Sequence, residues 1–102
     1  MNTAPAYFVK VDLGKLGAVW LERNVNELDR ETLIRDLIDG QIEDPLQVIE
    51  VDLADGTSRD VSEDIARAIA DRVQRDEISR SLHSFIWDNA GASLARELRV
   101  AA

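Results

Sequence analysis

Cysteine is absent from the chain. That excludes disulfides, thiol nucleophiles and cysteine-ligated metal together, and it fits a reducing compartment. Histidine occurs once, as His83, so no two-histidine metal site can form within one chain. A Ser–His–Asp relay also has little to draw on. Ser81 and Ser84 stand at spacings that do not face His83 on a helix, Ser79 four residues back can reach it, and Asp88 five residues on cannot. His83 is therefore read as a half-exposed helix histidine. No apolar run approaches the ~20 residues that a membrane span needs. The N-terminus lacks the basic and apolar regions of a signal peptide. Gly14-Lys15-Leu16-Gly17 lacks the spacing of a phosphate loop and leads into a strand, which makes it a turn. Repeats and low-complexity tracts are missing too. The expected setting is cytoplasmic, with no cofactor and no metal.

What remains is ordinary globular composition, 45% hydrophobic and 31% charged. With 102 residues the chain is expected to form one domain around one core, residues 1–5 being a flexible tail. Its net charge of −8 comes from 20 acidic and 12 basic residues. Nucleic acid and anionic membranes repel such a surface, and the arginines are spread along the whole chain, so no direct nucleic-acid binding is expected.

The stretch from Leu46 to Val73 organises the rest. Ile49, Val51 and Leu53 alternate with Glu50 and Asp52, which predicts a strand with an apolar covered face and an acidic wet one. Asp55-Gly56 suits a two-residue hairpin turn. That turn sets Glu50 opposite Val61 and leaves Val61 on the acidic face, so the return strand stops by Asp60 or a bulge re-aims it; the earlier stop is preferred. Ser62 then caps a helix, with Glu63 and Asp64 at its positive end. In that helix Ile65, Ala66, Ile69 and Val73 share one face, and Asp64, Arg67, Asp71 and Arg75 the other.

Upstream, Tyr7, Val9, Val11 and Leu13 alternate with Phe8, Lys10 and Asp12 in a first strand. Ala18 to Arg23 follows as a second, with Trp20 packed in the core or on the sheet face. Leu28 to Asp39 is a helix with Asp29 as its cap, Gly40 at its end, a Leu33-Ile34-Leu37-Ile38 stripe and a Glu31–Arg35 pair. A third helix runs from about Ile78 to Asn89 and ends at Gly91. The last ten residues suit either a helical turn or a strand end, and a short helix is preferred. The order strand, strand, helix, strand, strand, helix, helix implies an α+β two-layer fold, a mostly antiparallel sheet with helices on one face.

Three fragments carry a resemblance: Arg35-Asp36-Leu37-Ile38-Asp39-Gly40-Gln41, Asp44-Pro45, and Ser58-Arg59-Asp60-Val61-Ser62-Glu63-Asp64-Ile65-Ala66. They resemble short hypothetical proteins of α-proteobacteria, in which an R-D-L-x-x-G-Q run leads through a proline into a strand and then a D-V-S-E-D segment. The resemblance covers roughly residues 7 to 72 and departs at Thr57, where the pattern has tryptophan. It brings no activity and no catalytic residues, and implies a bacterial accessory protein of the cytosol.

Two groups of side chains invite a functional reading. Asp52, Asp55, Asp60, Glu63 and Asp64 crowd the hairpin and could attract a divalent cation, but turn and cap chemistry accounts for most of them, and Asp52 can pair with Arg59. Trp87 is different. Ile78, Leu82, Phe85, Ile86 and Asn89 gather on one arc of the third helix, and Trp87 points the other way beside Arg80, His83 and Ser84. Either the C-terminal segment folds Leu94 and Leu98 over that indole, or a partner covers it. The chain is thus expected to be a small non-enzymatic interaction module, binding another protein or a second copy of itself through Trp87, His83, Arg80 and Ser84. The alternative is an acidic inhibitor that mimics nucleic acid and occupies a basic partner protein.

Overall fold

Tyr7, Val9 and Val11 decide which side of the sheet is covered. In the computed structural model, which describes residues 4–101, they are buried along one face of the first strand, β1 (Ala6–Asp12). The tail expected at residues 1–5 lies, for residues 1–3, outside the described residues. Strands β2 (Ala18–Trp20), β3 (Pro45–Val51) and β4 (Ser58–Asp60) complete an antiparallel sheet in the order β2-β1-β3-β4. Helices α1 (Arg30–Ile38), α2 (Ser62–Arg72) and α3 (Arg80–Ala90) pack on its covered face, giving the α+β two-layer arrangement that the element order implies.

Cross-strand pairing corrects the reading of β3. Val48 lies opposite Val9, and Glu50 opposite Tyr7, so this pair of positions faces the helices. Ile49 and Val51, expected inside, lie on the open face, paired with Phe8 and Ala6. Glu50 tolerates the covered face because both its oxygens are used: Tyr7 Oη donates to one (2.5 Å) and Arg59 Nε to the other (3.0 Å). Arg59 therefore pairs with Glu50, not with Asp52.

The hairpin loop is also longer than two residues. Asp52 N–H donates to the Thr57 carbonyl (2.8 Å), so the loop runs from Leu53 to Gly56. Asp52 Oδ1 accepts from Ala54 N–H and Asp55 Oδ1 from Thr57 N–H, each at 2.9 Å, and these side-chain turns hold the wider loop. Glu50 now pairs with Arg59, two residues earlier than a tight turn sets it. Val61 comes opposite Val48 and is buried, its N–H donating to the Val48 carbonyl (2.9 Å). Ser62 is not the cap. It is the first residue of α2 and only 3% exposed, and its Oγ accepts from Val48 N–H (2.8 Å). Asp60 takes over at the helix start, its Oδ1 accepting from Ser62 N–H (2.8 Å).

Asp29 caps α1 as expected, accepting from Thr32 N–H (2.9 Å), and Leu33, Ile34 and Leu37 are buried beneath it. Gly40 follows with φ of 80°, a conformation side chains disfavour. Glu31 does not pair with Arg35. It receives two hydrogen bonds of 2.6 Å from Arg72 of α2, which lies nearer in space than its own helix neighbour. Arg30 reaches Asp64 in the same seam. The second strand stops at Trp20, short of the expected Arg23, and the chain turns away towards α1. Arg23 is anchored there by an ion pair with Asp36, its side chain 5% exposed.

The C-terminal region is both short helix and strand. After Gly91, α4 (Ala92–Ala95) leads to β6 (Arg99–Val100), which pairs in parallel with β5 (Glu77–Ile78). Ile78 thus belongs to a strand, and α3 begins after Ser79, whose Oγ accepts from Leu82 N–H (3.1 Å).

The Tyr7–Glu50 contact carries a pH signature. Burial first, then the bond to Glu50, pushes the Tyr7 hydroxyl from its ordinary value up to about 12. The Tyr7 and Arg59 bonds hold the Glu50 carboxyl below its ordinary range. A raised acid keeps the folded state favoured below its unfolded pKa, near 10, and that contribution fades as pH climbs through the folded value. A depressed acid contributes above its unfolded pKa, near 4.3, and that contribution fades as pH falls through the folded value. Thermal midpoints followed by circular dichroism should be flat from about pH 5 to 9 and drop on both sides. Because Tyr7 is the single tyrosine, Tyr7→Phe should flatten the alkaline drop. It should also lessen the acid one, since Glu50 then keeps only the Arg59 bond. An unchanged alkaline drop in the variant would assign it elsewhere.

Candidate interaction surface

Helix α3 splits into two faces because its apolar residues recur every three or four positions. Leu82, Phe85 and Ile86 are buried among α2 and the sheet. Arg80, Ser84, Trp87 and Asp88 are exposed on the opposite side. The structure thus brings the four residues singled out in the sequence onto or beside one helix face, with His83 half-buried at its margin.

Trp87 is 40% exposed and is braced rather than covered. Leu94 and Leu98, expected over the indole, belong to the main core instead. Gly91, at φ of 100°, ends α3 and sends α4 back alongside it. That reversal carries Arg96 over the indole, its guanidinium carbon 5.2 Å from the ring centroid. Such a contact at an exposed site is worth roughly 0.5–1 kcal/mol. On the other side the His83 ring lies 6.0 Å from Trp87, tilted by 55°. His83 is itself fixed: Nε2 donates to the Ala95 carbonyl (2.9 Å), which requires the proton on Nε2. The result is an aromatic side chain held in place with 40% of its surface facing out, the positive charge of Arg96 over it, and that of Arg80 two turns back on the same helix face. Pre-ordered aromatic and arginine side chains bind partners with little entropy left to lose.

Arg96 and Asp88 were not singled out in the sequence. Asp88 follows Arg80 and Ser84 at four-residue steps, a signal that was there to be read. Arg96 depends on the chain reversal at Gly91, which no periodicity announces.

The acidic hairpin holds no comparable arrangement. Glu63 pairs with Arg67 (3.0 Å) and Asp64 with Arg30 (3.5 Å), while Asp55 and Asp60 close local turns. Burial pushes the Asp60 carboxyl up, but hydrogen bonds from Ser62 and Gln47 outweigh it and hold it below its ordinary value. Among the described residues, no three metal-capable side chains lie together, and no helix is long and apolar enough to cross a membrane. Comparison with protein-family models, with curated proteins and with solved structures gives no match.

Proposed function

We propose that the chain is a small non-enzymatic interaction module that pairs with a second copy of itself through the outward face of α3. The carrying observation is the stripe Arg80-Ser84-Asp88, flanked by the half-exposed, braced Trp87. Two copies of α3 laid antiparallel with Ser84 at the two-fold axis set Arg80 against Asp88 of the second copy, and Asp88 against its Arg80. Each charge then meets its opposite once, in two symmetry-related pairs, which is what a self-complementary interface requires. Serine at the crossing point lets the helices approach within the usual ~8–10 Å. Trp87 comes to lie across the axis and loses its water. The acidic-mimic reading is weaker, because arginines from other elements pair with Glu31, Glu50 and Asp64, and Arg67 of the same helix with Glu63, which interrupts any acidic stripe there. A bacterial accessory role, as the fragment resemblance implies, suits a module of this kind.

Size exclusion with light scattering tests the pairing. The wild type should elute at twice its 11.4 kDa mass, falling to one chain on dilution, and Trp87→Ala should run as one chain throughout. A wild type that stays single at its highest soluble concentration overturns it.

A further inference from the structure

Where β2 leaves the sheet, a cleft of about 820 Å³ opens between the sheet edge and α1. Its size falls in the ~300–1,000 Å³ range of small-molecule sites. Phe8, Trp20, Leu21 and Ile42 give it an apolar wall, and Glu22 and Glu27 an acidic rim. Arg23 lines it too, and its guanidinium is incompletely used. Nη2 is taken by Asp36 and lies 4.0 Å from Glu27 Oε2, whereas Nη1 is buried with no hydrogen-bond partner among the described residues. A buried donor left unpaired is costly and calls for an acceptor.

The charges narrow what can supply one. Arg23 and Asp36 cancel, and the Lys10 ammonium over Trp20 offsets one of Glu22 and Glu27, so the cleft keeps a net negative charge. A simple anion is repelled by that rim, and a simple cation leaves Nη1 unpaired. A zwitterion answers both. Nη1 and Glu27 Oε2 lie within roughly 7 Å of each other, since Nη1 and Nη2 share one carbon, and an α-amino acid spans that gap with a hydrogen bond at each end. Glu27 is already oriented, its Oε1 accepting from Asn24 Nδ2 (2.7 Å). Trp20 is 44% exposed with the Lys10 ammonium 5.6 Å over its ring, and it offers remaining indole surface to an apolar side chain.

We propose that this cleft binds a free α-amino acid with an apolar side chain. A turn of the Arg23 guanidinium brings the buried Nη1 to the cleft, where the carboxylate accepts from it; the ammonium donates to Glu27 within the field of Glu22, and the side chain rests on Trp20 and Phe8. The site is separate from the α3 face, so binding is expected in single and paired chains alike.

The test uses the full chain carrying Trp87→Phe, which leaves Trp20 as the single tryptophan. L-leucine should change Trp20 emission saturably, with a dissociation constant between about 10 μM and 1 mM, and shift the amide resonances of residues 20–27. N-acetyl-leucine, lacking the ammonium, and leucinamide, lacking the carboxylate, should each bind at least ~10-fold more weakly. Glu27→Gln keeps an oxygen for Asn24; it should weaken leucine ~10-fold and bind N-acetyl-leucine no worse than the wild type does, since the change removes a negative charge from the rim. No saturable response to leucine, or equal binding of the three compounds, overturns the assignment.

Discussion

Asp36→Ala is expected to lower the unfolding free energy by about 3–5 kcal/mol, the loss seen when one member of a buried ion pair is removed. The reason lies in what stays behind. Arg23 has a side chain 5% exposed, its Nη1 is already unpartnered, and Glu27 at 4.0 Å is too distant to hydrogen-bond Nη2. Without Asp36 the guanidinium is a buried charge with no hydrogen-bonded partner, left only with Glu27 at 4.0 Å, and the segment joining β2 to α1 loses the contact that fixes it. Set against a total of roughly 5–15 kcal/mol for a domain of this kind, the loss is large. Urea denaturation should show a lower midpoint with an unchanged slope. Replacing both members, Arg23→Met with Asp36→Leu, should recover most of the loss, because it removes the stranded charge as well as its partner. A single-variant loss below about 1 kcal/mol would mean that Arg23 reaches water when Asp36 is gone.

Phe85→Ala should cost a similar amount, about 3–5 kcal/mol, whereas Trp87→Ala, two residues along the same helix, should cost a single chain less than about 1 kcal/mol. Phe85 is the largest side chain buried to near completion, and it packs where α2, α3 and the sheet meet. Truncation leaves a cavity that the surrounding isoleucines and leucines cannot close without leaving their rotamers. Trp87 is 40% exposed and surrenders only its partial cover, including the contacts with Arg96 and His83. In thermal melts of dilute protein the first variant should fall by at least about 12 °C and the second by a few degrees at most. Equal losses would place the indole in the interior and remove the interaction face.

Local chemistry announced several elements well. Asp29 before an apolar-periodic run marks the start of α1, Gly91 marks the end of α3, and the spacing of Leu82, Phe85 and Ile86 marks its buried side. In β1 the triplet Tyr7, Val9, Val11 names the covered face unambiguously. In β3 it does not, because Leu46 and Val48 compete with Ile49 and Val51 for the same role, and pairing with β1 decides between them. The loop differs from its sequence signal for a related reason. Asp55-Gly56 signals a turn, but the bonds made by Asp52 and Asp55 close a four-residue loop, and that shift brings Val61 to the core. Glu31 with Arg72, Arg23 with Asp36, and Arg96 with Trp87 each depend on chain crossings far apart in sequence. Of the α3 surface, Trp87, His83, Arg80 and Ser84 are visible on a helical wheel, while the clamp that holds the indole is not.

Paired charge reversal on α3, followed by light scattering at one fixed concentration, asks most directly whether two copies meet along that helix. Arg80→Asp alone should abolish the pair, because Asp88 of each copy then faces a second negative charge, and Asp88→Arg alone should do the same with positive ones. The double variant exchanges the two signs and should regain twice the single-chain mass. If it stays single although the wild type is paired, the copies do not meet through α3 in the antiparallel arrangement proposed.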